Sequence, residues 1–147
     1  MSNQYRQNAG RRQQNQHNPS MPDPRVLDKG FTENQEVLLD SYARKWGEFL
    51  AGKKLKKAQI RRFYRDIKAI ESRIQDDGDF GRNKQLIAML KAKAAYATAR
   101  QDASAPPEFR ELMDAAVKHA KHDWDQFKGF VQFFEAVVAY HYAEARD

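Results

Sequence analysis

The chain has 147 residues, no cysteine, and 26 lysines and arginines against 20 aspartates and glutamates, for a formal charge of +6. That length supports one domain around a single hydrophobic core, and the missing thiols exclude a disulfide scaffold and a thiolate metal site while fitting a reducing compartment. No apolar run approaches the ~20 residues that span a bilayer and the start lacks a secretory apolar stretch, so the expected compartment is the cytoplasm with no membrane partner, and the cation excess points to an anionic one.

Residues 1–30 are rich in Gln, Asn, Arg, Ser and Pro and are expected to form a disordered, mildly basic tail ahead of a helical domain over 31–147. From Thr32 the pattern turns helical. Thr32 and Gln35 have capping-box spacing, and Leu39, Tyr42, Trp46 and Phe49 share one face of a first helix that Gly47 and Gly52 weaken and end. A second helix is predicted over about 56–75, where Ile60, Phe63, Ile67, Ile70 and Ile74 make a 3,4,3,4 stripe, stopping at the turn-rich run from Asp76 to Gly81. The third, over about 82–101, is built on Leu86, Leu90, Ala94 and Ala97, with small residues at Ala88, Ala92, Ala95 and Ala99 that would let another helix approach closely. Pro106 and Pro107 break the pattern. A shorter fourth helix carries Phe109, Leu112, Met113, Ala116 and Val117.

The last helix has two apolar rows: Trp124, Phe127, Val131, Phe134 and Val138 make one, and Phe130, Phe133, Val137 and Tyr140 the other. Together they cover about 200° of its circumference, twice what a surface helix needs to face a core. Such a helix is either the central staple of a bundle or a carrier of one spare row for a neighbour, which would suit self-stacking. Glu135 lies on its narrow polar strip and is expected to bond to a neighbouring helix. With no convincing alternation of period two, the fold class is all-α: a compact bundle of about five helices behind the tail.

The second helix carries the sharpest functional feature. Lys54, Lys57, Arg61, Arg65 and Lys68 recur roughly opposite the isoleucine stripe, with Lys53, Lys56 and Arg62 close by and Asp66 the one acidic residue from Lys53 through Lys68. A solvated charged face is the plain explanation of such a row. Against it, lysines crowd a helix start whose dipole is already positive, each unfavourable by roughly 0.3–1 kcal/mol unless an anion binds there. On the third helix Met89, Lys93, Tyr96 and Arg100 share a stripe. Lys93 and Arg100 can hold phosphates, while Tyr96 is read first as a core tyrosine with its hydroxyl at the surface and second as a base-stacking ring.

Enzymatic readings fare worse. His119, His122 and Asp123 superficially suggest a metal phosphohydrolase, but a helical metal site needs more ligands, and Glu135 and His141 fall on opposite faces of their helix. There is no phosphate loop, nucleophile elbow or cysteine nucleophile, so no metal, cofactor or catalytic residue is expected.

Three blocks in order carry a family resemblance. The run from Phe127 to His141, F-x-x-F-x-x-F-F-E-A-V-V-A-Y-H, resembles the closing signature of the small subunit of type III-A CRISPR effector complexes, the Csm complexes. The segment from Leu55 to Lys68 is similar to that family's L-T-x-S-Q-I-R-x-F-Y block, and Met89 to Arg100 to its L-K-P-K-L-A-Y-A-x-x-R block. Lys56, Ala58 and Ala92 stand where the family usually has Thr, Ser and Pro.

The resemblance implies a non-catalytic subunit of an antiviral ribonucleoprotein, present in several copies stacked head to tail beside the backbone subunits that hold the CRISPR RNA. Target RNA cleavage would belong to those backbone subunits, and DNA cleavage and cyclic oligoadenylate synthesis to the large subunit. The small subunit would hold the guide–target RNA through phosphates without reading sequence. The RNA-facing set expected is Lys54, Lys57, Arg61, Arg65, Lys93 and Arg100, of which Arg61, Lys93 and Arg100 match family blocks. The alternative is a basic helical module that docks an acidic protein.

Overall fold

The computed structural model describes residues 20–100 and 105–147. A 3-10 turn, Pro24–Lys29, leads into five helices. The first, α1, starts at Gln35–Val37, widens into a π-helical turn at Leu38–Tyr42 and continues over Ala43–Gly52; α2 is Lys57–Glu71, α3 Asp77–Ala99, α4 Pro107–Ala120 and α5 Trp124–Glu144. No strand occurs among the described residues, and the all-α bundle expected from the periodicities is what forms.

The centre of the bundle is α5. Phe127, Phe130, Val131, Phe133, Phe134 and Val137 are buried, and Trp124, Val138 and Tyr140 pack half-buried against the same core, so both apolar rows are used inside the domain. α1, α2 and α4 pack around it, while α3 lies outside against α4 and α2. The two-row pattern therefore marks the central staple, and the spare row for self-stacking does not exist. Glu135 does bond to a neighbour: its Oε1 accepts from the Tyr64 hydroxyl of α2 at 2.9 Å.

Contact between α1 and α5 depends on Gly47. A Cβ there would lie 2.7 Å from the His141 backbone nitrogen and 2.7 Å from the Tyr140 Cβ. This glycine sits inside α1 at the crossing, and the helix runs on through it to Gly52 despite its low helix propensity. The run of alanines on α3 behaves differently from its reading too: Ala88, Ala92 and Ala99 are exposed, and only Ala94 of that helix's alanines is fully buried.

The tail was expected over 1–30. Residues 1–19 lie outside the described residues, but the stretch that follows them belongs to the domain. Asp23 caps the 3-10 turn by accepting from the Arg25 amide at 2.9 Å, its carbonyl accepts from the Tyr42 hydroxyl at 2.6 Å, and Leu27 is wholly buried. Gly30, at φ 78, then turns the chain so that Phe31 enters the core with its amide donating to Gln126 Oε1 at 2.7 Å. Polar composition hid a buried leucine. Thr32 does not cap α1; its Oγ1 accepts from Gln126 Nε2 at 3.0 Å, and α1 begins after Asn34 without a side-chain cap.

The start of α3 also differs. Asp76 accepts from the Asp79 amide at 2.7 Å, a true N-cap, and the helix runs through Gly78 and Gly81 from Asp77 onward. A strong cap and the burial of Phe80 outweigh two glycines that cost about 1 kcal/mol each in helix propensity. The last helix is capped in the same manner, Asp123 accepting from the Gln126 amide at 2.8 Å.

Candidate nucleic-acid interface

Three consecutive residues of α2 define its orientation. Tyr64 reaches α5 through Glu135, and Asp66 reaches α3, its carboxylate 3.2 Å from Lys93 Nζ. At 100° per residue Arg65 bisects the arc between them on the side away from the core. Arg61 follows on the same face one turn earlier. Both guanidinium groups are exposed and neither makes an ion pair among the described residues.

The other expected cations are placed less freely. Lys93 is held by Asp66, and the Arg100 guanidinium, at the end of α3, stands 5.8 Å from the Tyr96 ring centre. Lys68 pairs with Glu71 at 2.6 Å, and Lys53 lies 3.6 Å from Glu108. Lys57 is half-buried, with its ammonium 5.5 Å from the Tyr142 ring. Lys54, in the loop between α1 and α2, is exposed and adopts φ 67, the left-handed region that favours glycine. The six residues thus do not form one even row: Arg61 and Arg65 face outward, Lys54 and Lys57 gather at the start of α2, and Lys93 lies on α3 with Arg100 just past its end.

At the start of α2 the crowded lysines meet an anion of the chain's own. Lys56 has no acceptor to cap the helix; instead its amide donates to Gln59 Oε1 at 3.3 Å, while the Lys57 amide donates to Asp147 Oδ2 at 3.0 Å. A carboxylate on the first helical amide is favourable through both the hydrogen bond and the helix dipole. The dipole argument for a phosphate at this end is therefore weakened, because Asp147 already answers the positive charge. The adjoining cleft, about 850 Å³, mixes Glu48, Glu144 and Asp147 with Lys54, Lys56 and Arg146. A second hollow, about 460 Å³ between α3 and the end of α4, is lined by Lys84, Lys118, Lys121 and His122, of which Lys118 and Lys121 are favoured by the carbonyl end of α4.

His141 escaped the sequence reading as anything but a failed metal ligand. It is wholly buried, with Nε2 2.5 Å from the Leu55 carbonyl oxygen. Since a carbonyl only accepts, Nε2 carries the proton, leaving Nδ1 buried as an acceptor without a partner among the described residues. Burial holds the imidazole below its ordinary pKa, with the Leu55 carbonyl and Asp147 opposing and Lys57 reinforcing. His141 and Asp147 together bind both sides of the turn that opens α2. The signal available was a histidine closing an otherwise apolar helix.

Tyr96 is the clearest correction among the candidate residues. It is 69% exposed, not a core tyrosine, and Met89 on the same stripe is 51% exposed. His119 is half-buried and His122 exposed, and no group of three or more His, Asp or Glu among the described residues is placed to hold a metal.

An enclosed aromatic helix, bare arginines on the helix beside it and two clefts, one of mixed charge and one lined by lysines, make this a small basic helical-bundle protein. No helix among the described residues is long and apolar enough to cross a membrane. A family model described as Csm2 Type III-A matches residues 33–147. The chain belongs to that family, the small subunit of the type III-A Csm complex. Comparison with curated proteins finds no match, and comparison with solved structures finds none either.

Proposed function

We propose that this chain is a non-catalytic subunit that stacks in several copies within a cytoplasmic type III-A CRISPR complex and holds the guide–target RNA by its phosphates, independently of sequence. The observation that carries the reading is the pair Arg61 and Arg65, directed outward from α2 and bound to no carboxylate among the described residues. A guanidinium left in solvent keeps its fork of donors for a phosphate. Family membership supports the partners: CRISPR RNA, target RNA, and the backbone and large subunits.

Lys54, Lys57, Lys93 and Arg100 complete the proposed contact set. Lys93 is the conditional member, since a phosphate must compete with Asp66 for it. Copies of the chain have to meet through outer residues, because the rows of α5 are covered.

Reversing Arg61 and Arg65 to glutamate tests the RNA reading without disturbing the Lys93–Asp66 pair. Binding to RNAs of unrelated sequence should weaken, and the slope of log affinity against log salt should fall by about 2, roughly one per lost phosphate contact. Helical circular dichroism should not change. Unaltered RNA affinity in the folded double variant removes the assignment, and absence of any RNA shift at low salt would favour the docking of an acidic protein.

A further inference from the structure

The outer stripe of α3 has no role in the core. Phe80, Ile87, Leu90 and Ala94 face inward, and Tyr96, two residues beyond Ala94, is turned about 200° away from it. Its ring stands in solvent, with exposed Met89 two turns earlier on the same stripe, and its hydroxyl makes no hydrogen bond among the described residues. Cations bracket the ring along the chain, Lys93 on α3 and Arg100 at the extended residue just past its last turn. Lys93 precedes it by three positions, fixed by Asp66 at 3.2 Å, and the Arg100 guanidinium follows by four, 5.8 Å from the ring centre.

We propose that Tyr96 is a stacking platform for an unpaired nucleobase, with Lys93 and Arg100 holding the phosphates on either side of it. This rests on the RNA reading above and names the chemistry of a second contact, on a different helix from Arg61 and Arg65. A nucleotide combines a flat π-face with an anion, and the stripe offers both counterparts within two turns. Stacking is tolerant of base identity, so it fits a subunit that does not read sequence. A guanidinium against one face of the phenol leaves the other open and adds a cation–π contribution. An apolar protein surface is the rival occupant, but cations on both sides of the ring favour a polyanion.

The test uses the full chain, an oligoadenylate RNA carrying one 2-aminopurine, and an abasic RNA of the same length. Wild type and Tyr96→Phe should quench the 2-aminopurine fluorescence and bind alike. Tyr96→Ala should abolish the quenching and weaken oligoadenylate binding about tenfold, with no loss on the abasic strand. Equal losses on both strands, or no loss on either, overturn the proposal, as does a Tyr96→Ala variant altered only in association between copies. If Arg61→Glu with Arg65→Glu weakens RNA binding while Tyr96→Ala does not, the stacking site alone falls. If neither variant matters, the RNA reading falls with it.

Discussion

Two helices with equally insistent sequence patterns meet opposite fates. α5 has apolar side chains over about 200° of its surface and is enclosed by α1, α2 and α4, whereas α2 buries only Ile60, Phe63, Ile67 and Ile70 and turns Arg61 and Arg65 to solvent. Once the most apolar helix is consumed by the core, the proposed contacts with RNA and with other copies are left to residues that contribute little to folding. Stability and binding should therefore separate: damage to α5 should unfold the domain, and changes on the outer faces of α2 and α3 should leave it folded.

The largest effect should come from α5 itself. Phe130→Ala is expected to cost about 3–5 kcal/mol in urea unfolding, and a cost under about 1 kcal/mol would break the contrast between the helices. Gly47→Ala should cost roughly 1–3 kcal/mol, because the new methyl meets the backbone of α5 at 2.7 Å and not a yielding side-chain tip. A neutral outcome would mean that the crossing can open.

His141 joins the two regions, since it ties α5 to the loop that opens α2. His141→Ala should cost about 1–3 kcal/mol by leaving the Leu55 carbonyl without its donor. The pH dependence follows from the direction of the shift. With the folded pKa below the ordinary 6.5, the unfolded chain takes up the proton first, so this contribution is fully present above 6.5 and is lost as pH falls through that value towards the folded pKa. Chemical denaturation between pH 8 and pH 5.5 reads this directly. His141→Gln, whose amide can still donate, should flatten that part of the profile, and an unchanged profile would assign it to another group.

The smallest stability effect belongs to the outer pair. Asp66→Asn removes an exposed ion pair worth about 0.2–1 kcal/mol, yet it should tighten RNA binding by freeing Lys93 and removing a negative charge beside it. Weaker RNA binding in a folded Asp66→Asn variant would show that the carboxylate positions Lys93 for RNA instead of competing for it.

The fold was largely legible because its helices are long and periodic: the isoleucine stripe of α2 and the two rows of α5 are buried where the spacing puts them. Two misreadings shared one cause, a local signal outweighed by a distant contact. Gly47 looked like a helix breaker until Tyr140 and His141 crossed over it, and Thr32 looked like a cap until Gln126 claimed its hydroxyl. Gly78 and Gly81 suggested a turn, although the Asp76 cap was readable in the same stretch. Of the candidate contact set, the exposure of Arg61 and Arg65 followed from helical phase. The engagement of Lys93 by Asp66 and the exposure of Tyr96 did not, because each depends on which helix lies beside α3.

By itself, then, the sequence determined the helical class, the apolar stripes that make the core, the cation-rich face and the family motifs, all of them properties of residues at fixed spacing along a regular helix. Tertiary structure alone decided which cations stay free, that Asp147 meets the start of α2, that His141 holds Leu55, and that α5 keeps no spare face. Each of these joins residues far apart in the chain, and the pairing of distant side chains is set by how helices pack, which local periodicity does not encode.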